Sequence, residues 1–103
     1  MNQMDNLPTA VRRVVDAIPE GRDNAVTREA LVRALLMPDR QIRKCIQIAR
    51  AAGVLIVNSG YGYYITDDLD AIERQYRQDT SRALSVLARR KAMRKLLRDA
   101  GRL

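Results

Sequence analysis

Residues 27–66, TREALVRALLMPDRQIRKCIQIARAAGVLIVNSGYGYYIT, decide how the rest of this chain is read. Thr27 is placed to cap a helix through Leu36 that buries Ala30, Leu31, Ala34 and Leu35. Met37-Pro38 ends that helix, because a residue before proline avoids the helical region. Asp39 caps or opens a second helix running to about Ala52, with Gly53 as its left-handed C-cap. From Val54 the period changes. Val54-Leu55-Ile56-Val57 reads as a strand, Asn58-Ser59-Gly60 as a turn, and Tyr63-Tyr64-Ile65-Thr66 as the returning strand. Gly62, inside the second arm, marks a close backbone approach or a bulge.

Upstream, Pro8 suits the first turn of a helix, after a loose end of about six residues. Val11, Val14, Val15 and Ile18 follow at helical spacing, with Arg12, Arg13 and Asp16 facing outward. Pro19 stops this helix, Glu20 to Asn24 form a polar loop, and Ala25-Val26 suit a very short strand. Downstream, a helical pattern runs from Leu69 to about Ala100, either as one helix or as two divided at the polar run Gln78-Asp79-Thr80-Ser81. Leu69, Ile72, Tyr76, Ala83 and Leu87 make one apolar stripe, and Leu84, Ala88, Ala92 and Leu96 a second.

Composition narrows the classes of function. At 103 residues the chain is one small domain that buries roughly two-thirds of its unfolded surface, too little for a roomy substrate cavity. It has no histidine and one cysteine, so the usual general base and most transition-metal sites are missing. We therefore expect no enzyme, no catalytic residue, no metal and no cofactor. No apolar run is long enough to span a membrane, and the opening MNQMDNLPTA lacks the basic-then-apolar order of a signal peptide. With a lone cysteine, these point to the cytoplasm.

Charge is the strongest compositional signal. The net charge is +7, and residues 73–103 supply all of it with ten basic and three acidic side chains. Residues 1–72 balance nine against nine. Sixteen of the nineteen cations are arginine, whose planar fork suits phosphate and guanine edges. Such asymmetry favours a polyanionic partner, nucleic acid first and an anionic membrane surface second.

The helix from Asp39 to Ala52 concentrates the chemistry. With Ile42, Ile46 and Ala49 inward, its outer face carries Arg40, Gln41, Arg43, Lys44 and Gln47, and no acid follows Asp39. Arginine and lysine donate to guanine O6 and N7, and glutamine pairs with adenine. The competing reading is a surface helix that is merely basic. Arg28 and Arg50 are counted with this set as candidate contacts.

Two short helices, a tight turn and a β-hairpin give the run DRQIRKCIQIARAAGVLIVNSGYGYYIT, which resembles the recognition helix and wing of bacterial and phage winged helix-turn-helix proteins. The N-terminal domain of the biotin-operon repressor and small phage-encoded winged-helix proteins share this pattern over about residues 9–66. The resemblance implies a mainly α fold with a small β-hairpin (α+β). It divides the chain into a winged helix-turn-helix domain at 1–68 and a basic C-terminal helical extension at 69–103. It implies DNA contact by Arg40, Gln41, Arg43, Lys44 and Gln47 on the helix and by Ser59, Gly60 and Tyr61 at the wing tip. The wing departs from the pattern in being short, with no basic residue between Arg50 and Arg74, which argues against strong phosphate contact there. Nothing matches the repressor's biotin-binding domain, and no small-molecule effector is evident.

Other features have plainer readings. Tyr61, Tyr63 and Tyr64 suit a stacking platform for single-stranded bases, but hairpin packing is favoured for Tyr63 or Tyr64, leaving Tyr61 for nucleic acid. Asp67, Asp68 and Asp70 match the preference of helix N-termini for aspartate better than a Mg²⁺ or Ca²⁺ site. Cys45 is expected to be a partly buried small apolar residue, with a redox-sensing thiol beside Arg43 and Lys44 as the rival. Gly60-Tyr61-Gly62 lacks the phosphate-loop pattern.

If helical throughout, residues 69–100 extend about 48 Å at 1.5 Å per residue, so the helix projects, folds back or pairs with a partner. Its apolar stripes suit a homodimer, and two-fold dimers match palindromic DNA, although Arg90 falls near the seam of any coiled coil. Arg89, Arg90, Lys91 and Arg94, with Lys95 and Arg98, are expected to touch phosphate or an acidic partner. The expectation is a double-stranded DNA-binding protein of a bacterial or phage-infected cell, associated with the nucleoid. Its roles would be transcription regulation or phage or plasmid DNA transactions such as replication and packaging. The alternative is a protein-interaction adaptor that docks its basic helix on an acidic partner.

Overall fold

A computed structural model describes residues 6–103. These residues are mainly helical, with one two-stranded antiparallel hairpin among them. Helix α1 spans Thr9–Ala17, α2 Arg28–Leu35 and α3 Asp39–Ala51; β1 (Ile56–Asn58) pairs with β2 (Tyr63–Ile65), and α4 runs Leu69–Asp99. The chain divides into two compact units, one ending at Ile72 and the other spanning Glu73–Leu103. Most of the expected N-terminal loose end lies outside the described residues.

The first three helices form where local signals place them. Pro8 stands at the N-cap of α1 in extended backbone, and its carbonyl accepts from the Arg12 N–H at 3.0 Å. Thr27 caps α2 as expected, its Oγ1 accepting from the Ala30 N–H at 3.0 Å. Pro38 precedes α3 and Asp39 opens it. Val11, Val14, Val15 and Ile18 pack with Leu31 and with Ile42, Cys45, Ile46 and Ala49 in one core, which Ile56 joins from the hairpin. The periodicity of α1 and α3 is thus the periodicity of the core.

Three boundaries or burials differ from expectation. Helix α2 stops at Leu35, and Leu36 is left-handed (φ 55°) and 89% exposed. Met37, not Leu36, turns into the core to plug the turn. Ala34 is exposed, because α2 buries only the side that carries Leu31. The first strand begins at Ile56 instead of Val54, because the backbone at Val54 is already spent closing α3. Gly53 (φ 97°) donates to the Arg50 carbonyl at 3.0 Å and Val54 to the Ala49 carbonyl at 3.0 Å. That is the paired bonding of a Schellman cap, so the ladder waits two residues.

The hairpin register sets Ile56 opposite Ile65, Val57 opposite Tyr64 and Asn58 opposite Tyr63. Alternation then gives each face a task. Ile56, Tyr63 and Ile65 meet the helical core, while Val57 and Tyr64 form a second cluster with Ala71 at the start of α4. The outer edge of β2 is also bonded. Val26 and Tyr63 exchange N–H···O bonds of 3.0 and 2.7 Å, and Glu20 forms a single parallel bridge with Ile65. Ala25-Val26 therefore contributes one bridge, at Val26, in place of a strand.

Of the two arrangements open at residues 78–81 the unbroken one is found, and α4 is one helix of 31 residues, about 46 Å long. Polar side chains that compete with helix elsewhere bond within it here. Thr80 Oγ1 donates to the Tyr76 carbonyl at 2.9 Å, Ser85 to that of Ser81 at 3.1 Å, and Gln75 to the Asp79 carboxylate at 3.0 Å. Asp68 accepts from the Asp70 N–H at 3.1 Å at its start, as capping predicts. Gly101 (φ 75°) and Arg102 close its end, donating to Arg98 and Leu97 at 3.0 and 2.8 Å. Among the described residues no helix is long and apolar enough to cross a membrane.

Candidate functional site

Helix α3 has two faces of opposite character. Ile42, Cys45, Ile46 and Ala49 are buried, so Arg40, Gln41, Arg43, Lys44 and Gln47 are turned to solvent. Arg40, Arg43, Lys44 and Gln47 follow at i, i+3, i+4 and i+7 and so share one side over about 10 Å. Asp39 supplies the only acid of this helix, and its pull on the set is small. Arg43 stands 3.8 Å from the Asp39 carboxylate with its side chain 64% exposed, a contact worth well under 1 kcal/mol. Five side chains rich in donors are thereby held on a rigid element, and among the described residues Arg43 alone of them has an ion-pair partner.

Two expected contacts are placed differently. Arg28 Nε donates to Asp39 at 2.5 Å and its Nη1 to the Tyr63 hydroxyl at 3.4 Å, which join the first turns of α2 and α3 to β2. These bonds, Tyr63 first and Asp39 second, hold its pKa above the ordinary guanidinium value. Arg50 is drawn inward: its Nε donates to the Ile56 carbonyl at 3.0 Å and its guanidinium lies 5.8 Å from the Tyr63 ring centre. Its Nη2 is enclosed, with no hydrogen-bond partner among the described residues. Arg28 and Arg50 thus clasp Tyr63 between them, and Arg50 departs from the outward placement expected of a DNA contact. The signal for this lay in pairing across 35 residues, which no local pattern carries.

At the hairpin tip the backbone organises itself. The Ser59 hydroxyl accepts from the N–H groups of Tyr61 and Gly62 at 3.3 and 3.2 Å and donates to the Gly62 carbonyl at 3.2 Å. The Gly60 N–H donates to Asn58 Oδ1 at 2.8 Å. Ser59 is consequently spent on the turn, while Gly60 is exposed and Tyr61 is 73% exposed. Tyr64 is buried and Tyr63 half-buried, so a three-tyrosine stacking platform is not formed; packing takes both, as favoured.

Cys45 lies in the core, and burial pushes its thiol up against a smaller opposing pull from Lys44. That is the opposite of an activated thiolate. On α4, Arg89, Arg90, Lys91 and Arg94 are all exposed, and Lys91, Arg94, Lys95 and Arg98 border one shallow groove with Ala88, Ala92 and Asp99. Sequence reasoning missed Leu36, an exposed leucine at a strained backbone position next to α3. A leucine at the end of an apolar run reads as core, so no local signal marked it. Comparison of the chain with protein-family models, curated proteins and solved structures gives no match in any of the three.

Proposed function

We propose that this chain binds double-stranded DNA without catalysis, as a winged helix-turn-helix whose α3 enters the major groove. The observation that carries the reading is the outward face of α3, where Arg40, Gln41, Arg43, Lys44 and Gln47 are exposed with no acid after Asp39. An α-helix fits the major groove, and forks and amides at this spacing reach base edges and phosphates from one side. On this reading Tyr61 and Gly60 at the exposed hairpin tip reach the DNA backbone, whereas Arg28, Arg50 and Ser59 brace the site through bonds within the protein. The cations of α4 add a sequence-independent, salt-sensitive attraction. The role this suits first is transcription regulation, with phage or plasmid replication or packaging next, at the nucleoid of a bacterial or phage-infected cell. A homodimer through α4 would match a palindromic site.

The test is a fluorescence-anisotropy titration of the full chain against mixed-sequence duplex at several salt concentrations. Affinity should fall steeply with salt, with a slope corresponding to about five or more phosphates. The pair Arg43→Ala, Lys44→Ala should remove most of that binding. A folded chain that fails to bind duplex at low salt would defeat the reading and turn the search to an acidic protein partner docked on α4.

A further inference from the structure

The exposed side chains of α4 contain a seam with alternating steps of three and four residues: Tyr76, Asp79, Ala83, Val86, Arg90 and Met93. All six are exposed, and the apolar Tyr76, Val86 and Met93 stand at 69, 39 and 54%. A 3-4 repeat keeps one stripe of a helix facing a partner helix along its length. Two members are charged and of opposite sign. Among the described residues neither Asp79 nor Arg90 belongs to an ion pair, although Asp79 accepts from Gln75.

We infer that two copies of this chain pair through α4 in antiparallel orientation, with Asp79 of each copy facing Arg90 of the other. The register follows from the charges. Placing 79 against 90 sets Tyr76 against Met93 and Ala83 against Val86, with the two-fold axis between 84 and 85. Every layer then joins a residue that starts a three-residue step to one that ends it, the layering of an antiparallel pair. Small Ala83 meets branched Val86, and the long Met93 meets the Tyr76 ring, a favourable sulfur–aromatic contact. A parallel pair would instead set Asp79 on Asp79 and Arg90 on Arg90, and like charges in a seam are destabilising. Arg90, which spoils a parallel coiled coil, is thus the residue that specifies this one. On one flank Arg82 and Arg89 meet as like charges, exposed and screened by salt, so the pair should be weak, with Kd of roughly micromolar order.

This inference deepens the proposed dimer and is tested without DNA, so loss of DNA binding alone does not touch it. Sedimentation equilibrium of the full chain from low micromolar to near-millimolar concentration reads the assembly, with circular dichroism to check that each variant keeps its helix content. Asp79→Arg and Arg90→Asp should each weaken the dimer by about tenfold or more, and the two together should restore it, because the pair then returns with its signs exchanged. In a parallel dimer the double substitution restores nothing. A monomer at every concentration, a dimer indifferent to both single substitutions, or a double variant no tighter than the singles overturns the antiparallel register.

Discussion

Gly62 lies against the backbone of Val26 so closely that a Cβ at position 62 would stand 2.4 Å from the Val26 carbonyl oxygen. That carbonyl cannot retreat, because it accepts from the Tyr63 N–H at 2.7 Å. Gly62→Ala should therefore destabilise the fold by about 3 kcal/mol, the upper end for overpacking. Gly60→Ala has open space around it and suffers only from its φ of 88°, so it should cost about 1 kcal/mol. Urea unfolding of the two variants checks the order. Equal losses would mean that the 19–26 segment yields to the hairpin.

Arg50 and the outward pair Arg43 and Lys44 share a helix and differ in task. Arg50→Ala removes a charge-assisted bond to Ile56 and the cover over Tyr63, which should lower stability by about 1–2 kcal/mol. Arg43→Ala, Lys44→Ala should change stability by less than about 0.5 kcal/mol. On the DNA reading, it should weaken duplex binding about tenfold or more and reduce the salt slope by about two. Thermal melts and anisotropy on the same preparations separate the two effects.

Cys45 is 4% exposed and its thiol is held protonated by burial. The native chain should react with a thiol reagent far more slowly than the urea-unfolded chain, at a rate set by opening of the core. Because the folded pKa is raised above the unfolded one, this group's stabilisation is full below the unfolded thiol's pKa. It is then lost as pH climbs through the folded one. Unfolding midpoints should thus drop on the alkaline side of the thiol range, and Cys45→Ala should flatten that part of the pH profile. Fast reaction of the native chain would contradict a buried thiol.

Leu36 pairs a left-handed backbone with a side chain that is 89% exposed, so the strain is offset by little burial. Asparagine tolerates that conformation far better. Leu36→Asn should raise stability by up to about 1 kcal/mol in a melt. A loss of stability would show that the leucine is sheltered in solution.

The order of the helices and the hairpin, and the inner face of α3, are legible from local signals. Thr27, Pro38 and Gly53 act on backbone groups within a few residues of themselves, and Ile42, Ile46 and Ala49 announce burial by spacing alone. The outward set on that helix is legible for the same reason, since what is not core on an amphipathic helix is surface. Tertiary structure decided what distant segments impose on each other. It turned Arg28 and Arg50 onto Tyr63, which lies 35 and 13 positions further along. It placed Met37 inside and left Leu36 out, because only one side chain of that turn can reach the core. The continuity of α4, by contrast, is a local matter, since the Thr80 and Ser85 hydroxyls donate to the carbonyls of Tyr76 and Ser81 one turn earlier. Local bonding is written in neighbours, whereas the fate of a long side chain depends on which surface folding brings to it.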